Sequence, residues 1–294
     1  MKTEYGYNIP GENTGECWAI SAHANGDCTV LGGTYDGVSL STLYREHREV
    51  FANSKEEVFP LLVKIIDAKS DLSIQVHPDD AYAKAKENGS LGKTECWYIL
   101  DCDEDATIVI GHNAKDKAEL RTMIAENRWN ELISVRPIKK GDFFQIEPGT
   151  VHAIKAGTLI LETQQSSDVT YRLYDYGRLQ NGKPRELHLE KSIDVITCPH
   201  RDKAAGGVTE TIQDACIETL VNCPYYTVRK ISLNGRADMT MGGSYQLFSV
   251  IKGKGAIDGR EISKGDHFML PAGYGTYKLE GKIELITSFA EGEK

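Results

Sequence analysis

The sequence predicts a mainly β protein, a sandwich or barrel carrying a few inserted helices. Three observations point there. Short runs rich in β-branched and aromatic residues recur along most of the chain, separated by Gly, Asn and Asp, as a many-stranded fold requires. Helical patterns are few and fall between those runs. A Gly-Asp turn, an apolar run and a Pro/Gly corner occur twice, as GDFFQIEPGTVHAI from Gly141 and GDHFMLPAGYGTYKL from Gly265. In that register Gly149 falls on Gly273 and His152 on Thr276, so only the first copy keeps an imidazole.

Taken in order, strands are expected over 17–23, 28–31, 60–67, 72–77, 96–101 and 106–110, then over 143–147, 151–155, 158–163 and 168–174, with the same density returning from 224 to 289. A first helix is expected over 39–51, capped by Ser41. A second, over 78–88, opens with a proline and two aspartates, the residues that a helix N-terminus favours. Two more are expected over 115–126 and 187–196. The polar, Gly-containing stretch 197–215 reads as a linker with a boundary near 210, which divides the chain into 1–210 and 211–294.

Composition narrows the function. At roughly 150 residues per domain, 294 residues imply two units or one large β architecture, and 40% hydrophobic content supports a core. Lys and Arg number 34 against 43 Asp and Glu, a net charge of −9 with no basic run, so a nucleic-acid partner is excluded. No apolar run approaches the roughly 18 residues of a membrane span, and the N-terminus lacks the apolar stretch of a signal peptide; a soluble, cytoplasmic protein is expected. Seven cysteines without a CxxC pair suit reduced thiols and point to no cysteine-held zinc.

The densest polar constellation is LSIQVHPDD at 72–80. On a strand Ser73, Gln75 and His77 share one face, and Leu72, Ile74 and Val76 the other. In LGKTECWYIL, Lys93 and Glu95 again share a face, and EPGTVHAI supplies His152 just past a Pro/Gly corner. Each also has a plain reading: a solvated strand face, a surface ion pair, a structural histidine. Together, Gln75, His77, Glu95 and His152 offer an amide oxygen, two imidazoles and a carboxylate, a set suited to a divalent ion with an open coordination position, and zinc accepts it readily. Downstream, LILETQQSSDVTYRLYDYGR carries Glu162, Gln164, Asp168 and Arg172. An arginine among apolar strands calls for an anionic partner, either bound or internal, with Asp175 and Glu186 as the internal choices.

At these residues the sequence resembles the type I phosphomannose isomerases (mannose-6-phosphate isomerases) of the short bacterial class. The match runs through QVHPDD at 75–80, GKTECWYIL at 92–100, EPGTVHAI at 147–154 and QSSDVTYRLYDYGR at 165–178. The resemblance implies a cupin fold, the double-stranded β-helix or jelly roll, in both halves: a catalytic metal-binding cupin with helical insertions in 1–210 and a degenerate cupin-like β domain in 211–294 that packs rather than catalyses. It implies one Zn2+ per chain held by Gln75, His77, Glu95 and His152, with Arg172 as the active-site arginine. Ser73 and Lys93 match pocket positions for binding the substrate, and Lys93 and Glu162 are carried over as further catalytic residues.

The reaction implied is the interconversion of mannose 6-phosphate and fructose 6-phosphate through a cis-enediol, with a small phosphosugar as the partner. Such chemistry needs an electrophile for the enediolate oxygens, a base to shuttle one proton and a cation for the phosphate. Glu162, a metal-bound water and a desolvated Lys93 all remain as the base. A cupin iron oxygenase and a non-catalytic sugar-binding cupin are the alternatives; Gln75 and Arg172 favour the isomerase over the first, and the intact ligand set over the second.

Overall fold

Alternation of buried and exposed side chains folds most of the chain into antiparallel sheet. The computed structural model describes residues 1–11, 13–180, 182–203 and 206–290. These form two units, Ile65–Ala204 and Met1–Lys64 with Ala205–Lys294.

In the Ile65–Ala204 unit, one sheet has the order Leu61–Ala68, Thr158–Gln165, Glu95–Cys102, Phe143–Ile146, the first strand bringing the chain into the unit. The other runs Tyr171–Tyr174, Ile74–Val76, His152–Ile154, Thr107–His112, Ile133–Pro137. Their inner faces meet in a core of Ile66, Trp97, Ile99, Ile108, Ile110, Ile146, Ile154 and Ile160, the face-to-face packing of a cupin jelly roll. The outer face of the second sheet, through Ile74, Val76, Tyr171 and Leu173, is covered by helical residues Leu120, Met123, Ile124 and Ile193. The His152–Ile154 strand at its centre is therefore buried on both faces.

In the other unit, a sheet of order Thr209–Ile212, Ala215–Asn222, Thr227–Thr240, Thr276–Phe289, Gln246–Ile257, Arg260–Ser263 carries His267–Leu270 beside Gln246–Ile257. Phe248, Val250, Leu279, Ile283 and Leu285 form its core. The first 64 residues group here rather than with 65–204, in contrast to the linear division at 210. Burial is the reason: Tyr44, Phe51 and Phe59 pack edge-to-face on one another, and Phe51 and Phe59 also reach Tyr245. The expected linker 197–215 is also shorter, because Thr209–Ile212 is a strand paired to Ala215–Asn222, and 210 falls inside it. Residues 204 and 205 of that stretch lie outside the described residues.

The repeat is structural as well as sequential. Gly141 and Gly265 both take positive φ, 90° and 98°, a conformation open to glycine. Their amides donate to Ile99 O and Val250 O, and the amides of those residues return to Asp142 O and Asp266 O, both at 2.9 Å. His152 and Thr276 each open the strand that follows.

The four expected helices form, shorter than predicted, over Leu40–Glu46, Asp80–Lys86, Lys117–Ala125 and Leu189–Val195. The first is capped by Ser39, whose Oγ accepts from Thr42 N–H; Ser41 instead bonds to Asp27. The expected strand 28–31 reduces to a single bridge, Thr29 to Ser39, because Val30 turns back to bond Val38 and Gly37. Among the described residues no helix is long and apolar enough to cross a membrane.

Candidate active site

Strand register assembles the site. Gln75 lies opposite Arg172 on one side and His152 on the other, and directly opposed residues of antiparallel strands share a face. Alternation adds Ser73 and His77 to that row. Both are buried, at 5% and 1% exposure, and Gln75 between them is half-buried, so the polar face of QVH turns inward rather than lying on an open surface. From the facing sheet come Glu95 and Trp97, with Gln164 opposite Glu95 and Glu162 opposite Trp97. A register shift after Arg172 sets Tyr174 opposite Ile74, sending Tyr174 to the helix-covered side and leaving Arg172 beside Gln75.

Side chains from both sheets converge on one point. His77 Nε2 and His152 Nε2 are 3.1 Å apart. Glu95 Oε2 is 3.5 Å from His77 Nε2 and Oε1 is 3.4 Å from His152 Nε2. Lys93 Nζ lies 2.8 Å from Glu95 Oε2 and 3.3 Å from His77 Nε2, and Gln75 Nε2 is 3.3 Å from His152 Nε2.

The tautomers follow from the outer contacts. Val169 O lies 2.9 Å from His77 Nδ1, and Thr150 O 2.8 Å from His152 Nδ1. A carbonyl only accepts, so each Nδ1 carries the proton and each Nε2 presents a lone pair. Burial holds His152 below the usual histidine range against the opposing influence of Glu95, which keeps it neutral. Two lone pairs at 3.1 Å repel unless a cation stands between them. Glu95 Oε2 is ion-paired with the Lys93 ammonium at 2.8 Å, while its Oε1 has no hydrogen-bond partner among the described residues. A buried set of two imidazole lone pairs and a carboxylate, each imidazole oriented by a backbone carbonyl, fits a divalent cation. Half a turn of the Gln75 amide would bring its oxygen to the same point.

The remaining predicted residues stand around this centre. Ser73 Oγ is 3.5 Å from Gln75 Oε1. Glu162 is buried, and its Oε2 accepts from Trp97 Nε1 at 3.0 Å. Arg172 takes neither internal carboxylate offered by the sequence: its Nη1 donates to the backbone oxygen of Glu186 at 3.0 Å. Asp168 is exposed. The sequence reading passed over Trp97, whose ring stands edge-on to His152 at 5.5 Å; its place two residues after Glu95, on the same face, was the available signal. It also passed over Asp80. The Oδ1 of Asp80 accepts from Gly92 N–H at 2.7 Å and from Gln165 Nε2 at 3.1 Å, tying the helix start to the segment that carries Lys93. A Cβ on Gly92 would stand 2.4 Å from Asp80 N, so glycine is required there by space alone.

Comparison with known proteins gives one answer. Residues 1–110 match the model of the phosphomannose isomerase type I catalytic domain, and 216–290 that of the mannose-6-phosphate isomerase cupin domain. The chain is 51% identical to mannose-6-phosphate isomerase ManA of Bacillus subtilis, with 97% of this chain and 92% of the relative covered. It is 50% identical to mannose-6-phosphate isomerase of Streptococcus mutans, with 98% and 92% covered. The crystal structure of the mannose 6-phosphate isomerase from Bacillus subtilis superposes with a TM-score of 0.96 at 48% identity, over 98% of this chain and 93% of that one. A chain with this buried centre on a cupin barrel, and with this identity over nearly its whole length, belongs to the type I phosphomannose isomerase family.

Proposed function

We propose that this protein is a mannose-6-phosphate isomerase that interconverts mannose 6-phosphate and fructose 6-phosphate through a cis-enediol. The observation that carries the reading is the buried convergence of two imidazole lone pairs and an unsolvated carboxylate in a chain of this family. His77, Glu95 and His152 would hold the metal with Gln75 as a fourth ligand, and the absence of thiolate from an N/O set favours zinc in a catalytic rather than a closed site. When bound, such an ion supplies Lewis-acid stabilisation of the oxygens on C1 and C2.

The chain's own residues divide the remaining work. Aldose-to-ketose conversion removes the proton from C2 and returns one to C1. Glu162, interior and oriented through Oε2 by Trp97, is assigned that shuttle. Arg172 is a permanent cation and no base; in the row of Gln75 it opposes the negative charge that develops on the enediolate. Ser73, in the row of Gln75, and Lys93, beside Glu95, orient the phosphosugar. A cytoplasmic location completes the reading, since an odd set of seven thiols suits a reducing compartment.

A coupled assay with mannose 6-phosphate, run alongside metal analysis before and after chelation, tests the isomerase and the metal. The expected result is turnover lost on chelation and restored by zinc. A pure, folded protein without turnover in the presence of zinc overturns the isomerase, and full activity in a metal-free sample overturns the metal.

A further inference from the structure

The strand Tyr171–Tyr174 is the outermost of its sheet, so the backbone on either side of Arg172 has a free edge to satisfy. It is satisfied by a stretch outside the sheet. Arg172 N–H donates to His188 Nδ1 at 3.2 Å, His188 N–H donates to Arg172 O at 2.8 Å, and Arg172 Nη1 donates to Glu186 O at 3.0 Å. Three contacts to residues 186–188 thus set both the backbone and the guanidinium of Arg172. Among the described residues its Nε has no hydrogen-bond partner.

Glu186 and Leu187 are themselves exposed and need an anchor. Arg185, next in sequence, supplies one. Its Nε donates to Asp175 Oδ2 at 2.7 Å and its Nη2 to Asp175 Oδ1, the two-point fork that only a guanidinium makes with a carboxylate. Asp175 is 4% exposed and is fixed in turn. Arg178 donates through Nη2 to the Asp175 carboxylate, through Nε to Asp175 O and through Nη1 to Asp71 O. Between them Tyr176 and Gly177 both take positive φ, 57° and 68°, closing a tight turn with Arg178 N–H on Asp175 O at 3.0 Å. A tyrosine in that backbone region is strained, and the strain is held by this cluster.

We propose that Arg185, through its fork on Asp175, is a positioning residue that docks 186–188 against the sheet edge and thereby aims Arg172 into the active site. The proposal rests on the isomerase reading for the role of Arg172, and concerns residues that touch neither the metal point nor Gln75.

The test is a double-mutant cycle with amide exchange as a second readout. Arg185→Met keeps the aliphatic stem and removes the fork; Arg185→Lys keeps the charge without the fork. In the otherwise native chain Arg185→Met is expected to lower kcat about 10-fold or more, as misaiming a catalytic group does, with Arg185→Lys in between. In an Arg172→Lys background the same change is expected to cost no more than about twofold, since coupled residues are not additive. Equal losses in both backgrounds overturn the proposal, as does a rise in KM alone, which would mark Arg185 as a substrate contact. Should Arg185→Met fail to fold, Arg185→Lys carries the same cycle. Should the native protein show no turnover, the isomerase reading fails and the docking is judged by exchange. Faster exchange of the Arg172 and His188 amides in the Arg185 variants supports it, and unchanged exchange overturns it.

Discussion

Replacing Arg172 with lysine separates catalysis from folding. Among the described residues the Arg172 side chain makes one hydrogen bond, Nη1 to Glu186 O at 3.0 Å, from a half-buried position. Losing one such bond costs about 1 kcal/mol, which for a chain of this size lowers the thermal midpoint by roughly 2–4 °C. The catalytic loss should be larger. A guanidinium presents fixed donors to an oxyanion, and an ammonium on a flexible stem does not reproduce them; removing one preorganised donor typically lowers kcat by about 10²–10³, or roughly 3–4 kcal/mol of barrier. Burial also pushes the Arg172 guanidinium below its usual value, with Arg185 and Arg178 adding to the effect, so the site pays to keep this charge where it is. The assay is kcat for mannose 6-phosphate in a coupled system, set beside the thermal midpoint of the same preparation. A kcat within threefold of native, together with a midpoint lowered by about 8 °C or more, would return Arg172 to a structural role.

Three further outcomes follow from other parts of the molecule. Glu95→Gln removes the carboxylate that, among the described residues, stands at the metal point and breaks its buried ion pair with Lys93, 5% exposed; metal affinity should drop by at least about 100-fold in a metal titration, and stability to denaturant by about 3 kcal/mol. Gly92→Ala forces a Cβ to 2.4 Å from Asp80 N and 2.5 Å from Asp79 C, backbone atoms that yield little, so a loss of about 2–4 kcal/mol is expected; a variant as stable as the native protein would mean that the 78–93 connection is loose. His267 bonds to Tyr7 OH and Ser249 Oγ, and burial lowers it from 6.5 to about 4. The unfolded chain takes up that proton first as pH falls, so the stability it contributes is complete above about pH 6.5, declines by at most about 3 kcal/mol between 6.5 and 4, and is flat below. Thermal midpoints across that range should lose this slope in His267→Gln, and an unchanged slope would remove His267 as its source.

Local chemistry carried a large share of this molecule in its sequence. The mainly β fold, the four helices and the chemical types at the metal point follow from alternation, turn residues and the donor set of Gln75, His77, Glu95 and His152, because each is decided within a few residues along the chain. The Gly-Asp turns at Gly141 and Gly265 share their backbone geometry for the same reason. Whether a polar face meets water or another sheet is decided elsewhere: Ser73 and His77 sit on a strand that would look the same on a surface, and only the sheet carrying Glu95 and Glu162 makes that face an interior. The grouping of residues 1–64 with the C-terminal strands depends on where Phe51 and Phe59 find Tyr245, a contact with no mark in the local pattern. Arg172 shows the division most sharply. Its charge is evident from the sequence, and Asp175 and Glu186 were the apparent partners, yet the tertiary structure gives Asp175 to Arg178 and Arg185 and offers Arg172 a backbone carbonyl. Which donor meets which acceptor depends on strand register and on the tight turn at Tyr176, and those are set by packing between segments far apart in sequence.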